Sequence, residues 1–195
     1  MNRRNALKSL GLSFGYVVAT PTIISMLQSC KTEVTSWTPI FLSVDQGYVL
    51  RNLVDLILPK TEATPGALDV NVPEFIDLYV SKTYTEDRKM KYKEEIDAVI
   101  EELGVSDKNP TSLKIEDFDS ILTKYLRATQ EQKGAFTDKE KGVLNTLTGL
   151  RGRAVWAYKT SEKIGEEVLA YDPIPREQKG CITVEEATGG RAWSL

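Results

Sequence analysis

The chain has 195 residues, enough for one domain with a real core, and its 25 basic and 28 acidic residues leave a net charge of −3. That balance offers no basic stripe for nucleic acid. With no histidine and only two cysteines, the chain lacks the commonest general base and metal ligand, and a thiolate zinc cluster is out of reach. Carboxylates, lysines and tyrosines are the catalytic groups left to it.

The first segment reads as an export signal. Arg3 and Arg4 open a basic region closed by Lys8, and an apolar stretch from Leu10 to Leu27 runs into Leu27-Gln28-Ser29-Cys30. Paired arginines ahead of a weakly apolar segment resemble the twin-arginine signal, whose machinery carries folded proteins. Asn2 and Ala6 depart from that pattern, standing where Ser or Thr and Phe are common. The ending resembles a lipoprotein box with Cys30 as the lipid acceptor. The alternative is an uncut membrane anchor, which needs roughly 20 apolar residues; Gly11, Ser13, Gly15, Thr20, Pro21, Thr22 and Ser25 weaken it. The expectation is a signal over 1–29, a tether over 30–42, and a domain over 43–195. The mature chain of about 166 residues, at a net charge of −6 once Arg3, Arg4 and Lys8 are gone, would sit lipid-anchored on the periplasmic side of a bacterial membrane. Cys181 is then the sole free thiol in an oxidising compartment, either buried and inert or bonded to another chain.

Helical periodicity dominates from Ser43 on. Ser43 and Gln46 form a capping box ahead of Val49, Leu50, Leu53, Val54 and Ile57, and Pro59 stops that helix. Thr64-Pro65-Gly66 marks a turn, and Pro73 sits in the first turn of a second helix with Phe75, Ile76, Tyr79 and Val80 on one face. Thr85 opens a charged third helix with Ile96, Val99, Ile100 and Leu103 as its buried stripe and Gly104 at its end. Its run EDRKMKYKEE reads as a solvated face with i,i+4 ion pairs. Residues 105–114 read as a loop, and Ile115, Phe118, Ile121, Leu122, Tyr125 and Leu126 as a fourth helix. A second capping box, Thr137 to Glu140, opens a long helix through Leu144, Leu147, Leu150 and Trp156, in which Gly149 and Gly152 weaken the helix or let something approach it. Ser161 is expected to cap a last short helix up to about Leu169.

No stretch alternates with period two; Cys181 to Val184 is the best strand candidate. The fold predicted is all-α, a single irregular bundle of five or six helices with an extended C-terminal arm over 171–195. Pro173 and Pro175 interrupt that arm, which carries Cys181, Ile182, Val184, Trp193 and Leu195 among glycines. Such apolar groups pack on their own domain or on another protein.

The stretch LILPKTEATPGALDVNVPEFIDLYV at 56–80, with YKTSEKIGEEVLAYDPIPREQKGC and GGRAWSL later, resembles the gluconate 2-dehydrogenase subunit 3 family. The matching features are the Leu58-Pro59 stop, the turn Thr61 to Ala67 and the block Val72 to Asp77, then Tyr171-Asp172-Pro173-Ile174-Pro175 and Gly180-Cys181. Glu62 departs from the threonine more usual there. The resemblance implies a small, cofactor-free partner of a larger FAD-containing subunit of the glucose–methanol–choline oxidoreductase type, which oxidises sugars or sugar acids. In the better-known members a cytochrome c accepts the electrons, and the small subunit supplies the export signal for the folded, FAD-loaded partner. The contact residues expected from this reading are Pro65, Gly66, Tyr171, Asp172, Pro173, Pro175, Cys181 and Trp193.

Two other readings compete. In a lipid-anchored binding module, Trp37, Trp156, Trp193 and the tyrosines would stack on sugars. In an enzyme, Glu74 with Asp77, or Asp172, would supply the carboxylates. Glu74 is equally accounted for by the dipole of the helix it opens, and Asp172 by the turn before Pro173.

Overall fold

A computed structural model describes residues 37–105, 109–174 and 180–194. Arg3, Arg4, Lys8, Cys30 and Pro175 lie outside the described residues, as does most of the expected tether. The described part from Thr38 on forms one unit, all-helical with no strand among the described residues.

Local signals place the helices. Helix α1 (Val44–Ile57) starts at Ser43, whose hydroxyl accepts from the Gln46 N–H at 3.1 Å while the Gln46 side chain accepts from the Ser43 N–H at 3.0 Å. It ends at Leu58, before Pro59. A 3₁₀ turn (Ala67–Val70) hands over through Asn71, whose φ of 54° is left-handed, a conformation that asparagine tolerates. Helix α2 (Val72–Thr83) follows with Pro73 in its first turn. Helix α3 (Glu86–Glu102) is capped by Thr85, and Gly104, with φ +74°, sits just beyond its last turn. Helix α4 (Ile115–Leu126), short helix α5 (Gln130–Ala135) and the long helix α6 (Asp138–Lys159) complete the bundle. Thr137 and Glu140 cap α6 reciprocally.

Helix α1 is the hub. Its Val49, Leu50, Leu53 and Val54 are buried and meet α2, α3, α4 and α6, while α6 runs against α2, α3 and α4. Ile76, Val80, Tyr92, Ile96, Val99, Phe118, Tyr125, Val143, Leu147 and Leu150 close the core around them. Each large apolar side chain buried this way contributes about 1.5–3 kcal/mol.

Several expectations change on the structure. The last helix expected after Ser161 is present but mostly π-helical (Ile164–Val168): the Gly165 N–H donates to the Ser161 carbonyl at 2.8 Å, while the Ser161 hydroxyl donates back to the Tyr158 carbonyl at 2.7 Å instead of capping. The Cys181–Val184 strand is absent because Thr183, in a reciprocal cap with Glu186, starts helix α7 (Val184–Thr188). Loop 105–114 contains a 3₁₀ turn at Pro110–Ser112. In α3 the buried stripe is Tyr92, Ile96 and Val99, with Ile100 and Leu103 half-buried. The charged run there pairs Lys89 with Glu86 at i,i+3 and sends Arg88 two turns on to Glu95. Trp156 and Phe75, expected on apolar stripes, are 43% and 40% exposed.

Candidate partner-docking surface

Asp77 shows how the family-like block is used. It is fully buried, and its carboxylate accepts from the backbone N–H groups of Ile40 (2.6 Å), Phe41 (3.3 Å) and Leu42 (2.9 Å). A buried carboxylate needs such donors; here they hold the segment that leads into α1. Glu74, three residues earlier, faces Arg51 at 3.9 Å. The two carboxylates considered for acid–base work are thus engaged separately, and Asp77 has no access to a substrate.

The Pro-Gly loop is equally well fixed. Thr61 and Thr64 close it through N–H to carbonyl (3.0 Å) and hydroxyl (2.8 Å) contacts. The Gly66 N–H donates to Asp69 at 2.8 Å, and the Ala67 N–H to the Leu58 carbonyl at 2.8 Å. A Cβ on Gly66 would lie 2.6 Å from the Lys60 backbone nitrogen, so the glycine serves a close backbone approach. The Gly66 N–H, and after it Lys60, hold the Asp69 carboxyl below its ordinary range. Tyr158 of α6 donates to the Pro65 carbonyl at 2.6 Å and ties the loop to the end of the long helix. Gly66 is buried and Pro65 half-buried, so the accessible part of this loop is its tip, Thr61 to Ala63, with Lys60 and Lys163 beside it.

The C-terminal segment meets the same end of α6. Ala170 forms a parallel bridge with Trp193, its N–H donating to the Ala192 carbonyl at 2.8 Å and its carbonyl accepting from the Ser194 N–H at 3.0 Å. A Cβ placed on Gly165 would lie 3.7 Å from the Lys159 carbonyl oxygen and 4.0 Å from the Ser194 Cβ. Ala170 and Ile164 are buried beneath this closure. The arm therefore returns to its own domain at Trp193, yet Tyr171, Ile174, Ile182, Val184 and Trp193 stay exposed, Ile174 at 80%. Asp172 and Pro173 are exposed with them. Cys181 is an exposed free thiol, which removes the buried-thiol reading.

A second apolar surface escaped the sequence. Phe75 and Tyr79 of α2 stack with centroids 6.0 Å apart, and Trp156 of α6 packs on them at 5.4 and 5.1 Å. Leu78 and Val155 add exposed apolar area, 41% and 38%. The signal was legible in α2, which is apolar on two sides. One stripe (Val72, Ile76, Val80) fills the core, and a helix apolar beyond one face is covered on the other too.

Glu74 and Asp77 have separate partners among the described residues, Arg51 and the backbone of residues 40–42. Among the described residues no group of His, Cys, Asp and Glu has metal-binding geometry, and no helix is long and apolar enough to cross a membrane. What the surface offers is exposed apolar area on an all-helical frame. The chain belongs to the gluconate 2-dehydrogenase subunit 3 family, matching it over residues 44–175, and is thus a subunit of a dehydrogenase complex. The match takes in the Pro-Gly loop and the Tyr171–Pro175 block and stops short of Cys181 and Trp193. Searches of curated proteins and of solved structures returned no match.

Proposed function

We propose that this chain is the non-catalytic small subunit of a membrane-associated, FAD-dependent sugar or sugar-acid dehydrogenase, and that it exports, supports and anchors the flavoprotein subunit. The observation that carries the reading is exposed apolar surface on two fixed platforms, the Phe75–Tyr79–Trp156 cluster and the arm at Tyr171–Ile174, Ile182 and Trp193. Exposed aromatic patches of this kind are partner sites. Membership of the family supports a partner within a multi-subunit dehydrogenase, and the proposal takes that partner to be the larger subunit. The FAD belongs to that subunit, because a dinucleotide site of the Rossmann kind needs a glycine-rich turn between strand and helix, and this sequence has no such pattern. A cytochrome c would take the electrons onward. Cys181, exposed and without a described mate, is positioned for a disulfide to the partner. Paired Arg3 and Arg4 would route the folded pair out of the cytoplasm, and lipid on Cys30 would hold it at the membrane.

The test is purification of the tagged full chain from membranes of its own cells. The expected outcome is a yellow complex with flavin absorbance, which Arg3→Lys with Arg4→Lys retains in the cytoplasm and Cys30→Ala frees from the membrane. Emergence of the chain alone and colourless overturns the reading and favours a free-standing binding module.

A further inference from the structure

Between α3 and α6 lies a cleft of about 430 Å³ that the docking surfaces above do not use. Its walls carry Arg88, Lys91 and Glu95 from α3 and Asn145, Thr146 and Arg153 from α6, with Tyr92 at its base. Gly142 and Gly149 line it on the α6 side, and a Cβ on either would meet no atom within 4 Å. Gly149, one of the two glycines expected to weaken the helix or admit a close approach, therefore leaves open space, as does Gly152, and no part of the described chain fills the cleft.

The cations in this cleft are not all spent. Arg88 makes a bidentate pair with Glu95, each contact at 3.1 Å. Lys91 and Arg153 have no ion-pair partner among the described residues, so the cleft keeps a net positive charge. Arg153 stands over the Tyr92 ring, 5.0 Å from its centroid. Tyr92 is 1% exposed, and no hydrogen bond of good geometry satisfies its hydroxyl among the described residues, although the Arg153 side chain lies close enough to act on it. A buried hydroxyl left unpaired is destabilising, and native structures seldom carry one without a use. Burial pushes its pKa up to about 12, with Arg153 pulling the other way, so at neutral pH the group is a hydrogen-bond donor.

We infer that the α3–α6 cleft binds a carboxylate group, with Arg153 and Lys91 holding the charge and the Tyr92 hydroxyl completing the hydrogen bonds. A singly charged, planar oxyanion fits better than a phosphate. Glu95 opposes a second negative charge, and the first turn of α3 carries Glu86 and Asp87, so no helix N-terminus is free to cradle phosphate. The guanidinium of Arg153 matches a carboxylate in a fork. The site also continues the aromatic surface: Tyr79 meets Tyr84 edge-on at 6.3 Å, and Tyr84 meets Tyr92 at 6.1 Å. A protein docked on Phe75, Tyr79 and Trp156 would thus reach the cleft with an acidic side chain. In that form the inference rests on the subunit reading; a free hydroxy acid would bring the same carboxylate without it.

Two variants of the full chain, Arg153→Gln and Tyr92→Phe, separate these sources. Each is measured for co-purification with the flavoprotein at rising salt, and for binding of gluconate against sorbitol, its uncharged analogue in size. Loss of one charged hydrogen bond weakens binding roughly tenfold or more. If both variants lose the complex at salt concentrations the wild type withstands, the carboxylate belongs to the larger subunit. If instead they lose gluconate binding at least tenfold, with sorbitol never bound, it is a free acid. If the wild-type chain forms the complex and neither variant alters complex or gluconate binding, the inference is overturned. Failure of the wild type to form any complex is a failure of the subunit reading instead. Tyr92→Phe removes only a buried hydroxyl that makes no hydrogen bond of good geometry, so its fold should be about as stable as the wild type.

Discussion

The two sides of helix α2 are made of similar residues and have opposite fates. Ile76, Asp77 and Val80 are fully buried, and Asp77 gathers three backbone N–H groups from residues 40–42. Phe75, Leu78 and Tyr79, on the other side, stand at the surface with Trp156 leaning on them. Hydrophobicity alone does not tell these sides apart, since Phe75 is as apolar as Ile76. What separates them is partnership: the inner side is closed over by the core and by residues 40–42 of its own chain, and the outer side meets only Trp156 at the rim of α6 and is the one we propose for a second protein. The inner side should therefore govern stability and the outer side assembly.

The largest stability effect is expected at Asp77. Asp77→Ala strands the buried N–H of Leu42 and loosens its neighbours, at a cost of about 2–4 kcal/mol. A denaturant midpoint close to the wild type would sink the claim that this carboxylate is structural. Gly66→Ala comes next. Its new methyl group would meet the Lys60 backbone, 2.6 Å away, and such overpacking costs about 1–3 kcal/mol. A neutral Gly66→Ala would mean that the loop relaxes freely, and that its tip is a poorer platform than its hydrogen bonds suggest.

A smaller, pH-dependent effect is expected at the start of α6. The Thr137 N–H, and after it Lys124, lower the Glu140 pKa to about 2. A carboxylate whose folded pKa is depressed contributes stability above its unfolded value, and that contribution is lost as pH falls toward the folded value. Wild-type stability should therefore fall between roughly pH 4.5 and pH 2 more steeply than that of Glu140→Gln, as read from urea midpoints across that range. Parallel curves would show that the exposed cap contributes nothing measurable. This prediction is independent of the docking surfaces and sharpens the contrast between α6 as frame and α6 as interface.

Much of the frame was legible in the sequence because its signals are local. Ser43 with Gln46, Thr85, Thr137 with Glu140, and Pro59 and Pro73 each act within one turn of chain, and each stands where expected. Short polar helices were harder. Helix α5 carries a reciprocal cap, Thr129 with Gln132, but it buries no residue and so shows no apolar stripe. Helix α7 hid behind Ile182 and Val184, whose β-branched character suggested a strand, although the Thr183–Glu186 cap was there to be read. The surfaces proposed for docking were legible only in part. Arm residues Tyr171, Asp172, Pro173, Cys181 and Trp193 are exposed as an interface requires, but the bridge from Trp193 to Ala170 joins residues 23 apart, beyond any periodic pattern. The role of Asp77 depends on donors 35 to 37 residues away, and the Phe75–Tyr79–Trp156 cluster on a helix pairing that spacing along one chain does not encode.

The central claim is that the outer side of α2 and α6 docks the larger dehydrogenase subunit while the inner side holds the fold. Trp156→Ala tests it most directly, with thermal midpoint and flavoprotein co-purification measured on the same preparation. Trp156 is 43% exposed but packs on Phe75 and Tyr79, so its truncation should cost the isolated chain about 1–3 kcal/mol and leave it folded. An interface aromatic anchor is worth about 2 kcal/mol or more, so recovery of the yellow complex should fall at least tenfold. A variant that unfolds would place Trp156 in the core. One that folds and still brings down the flavoprotein in full yield would contradict the account.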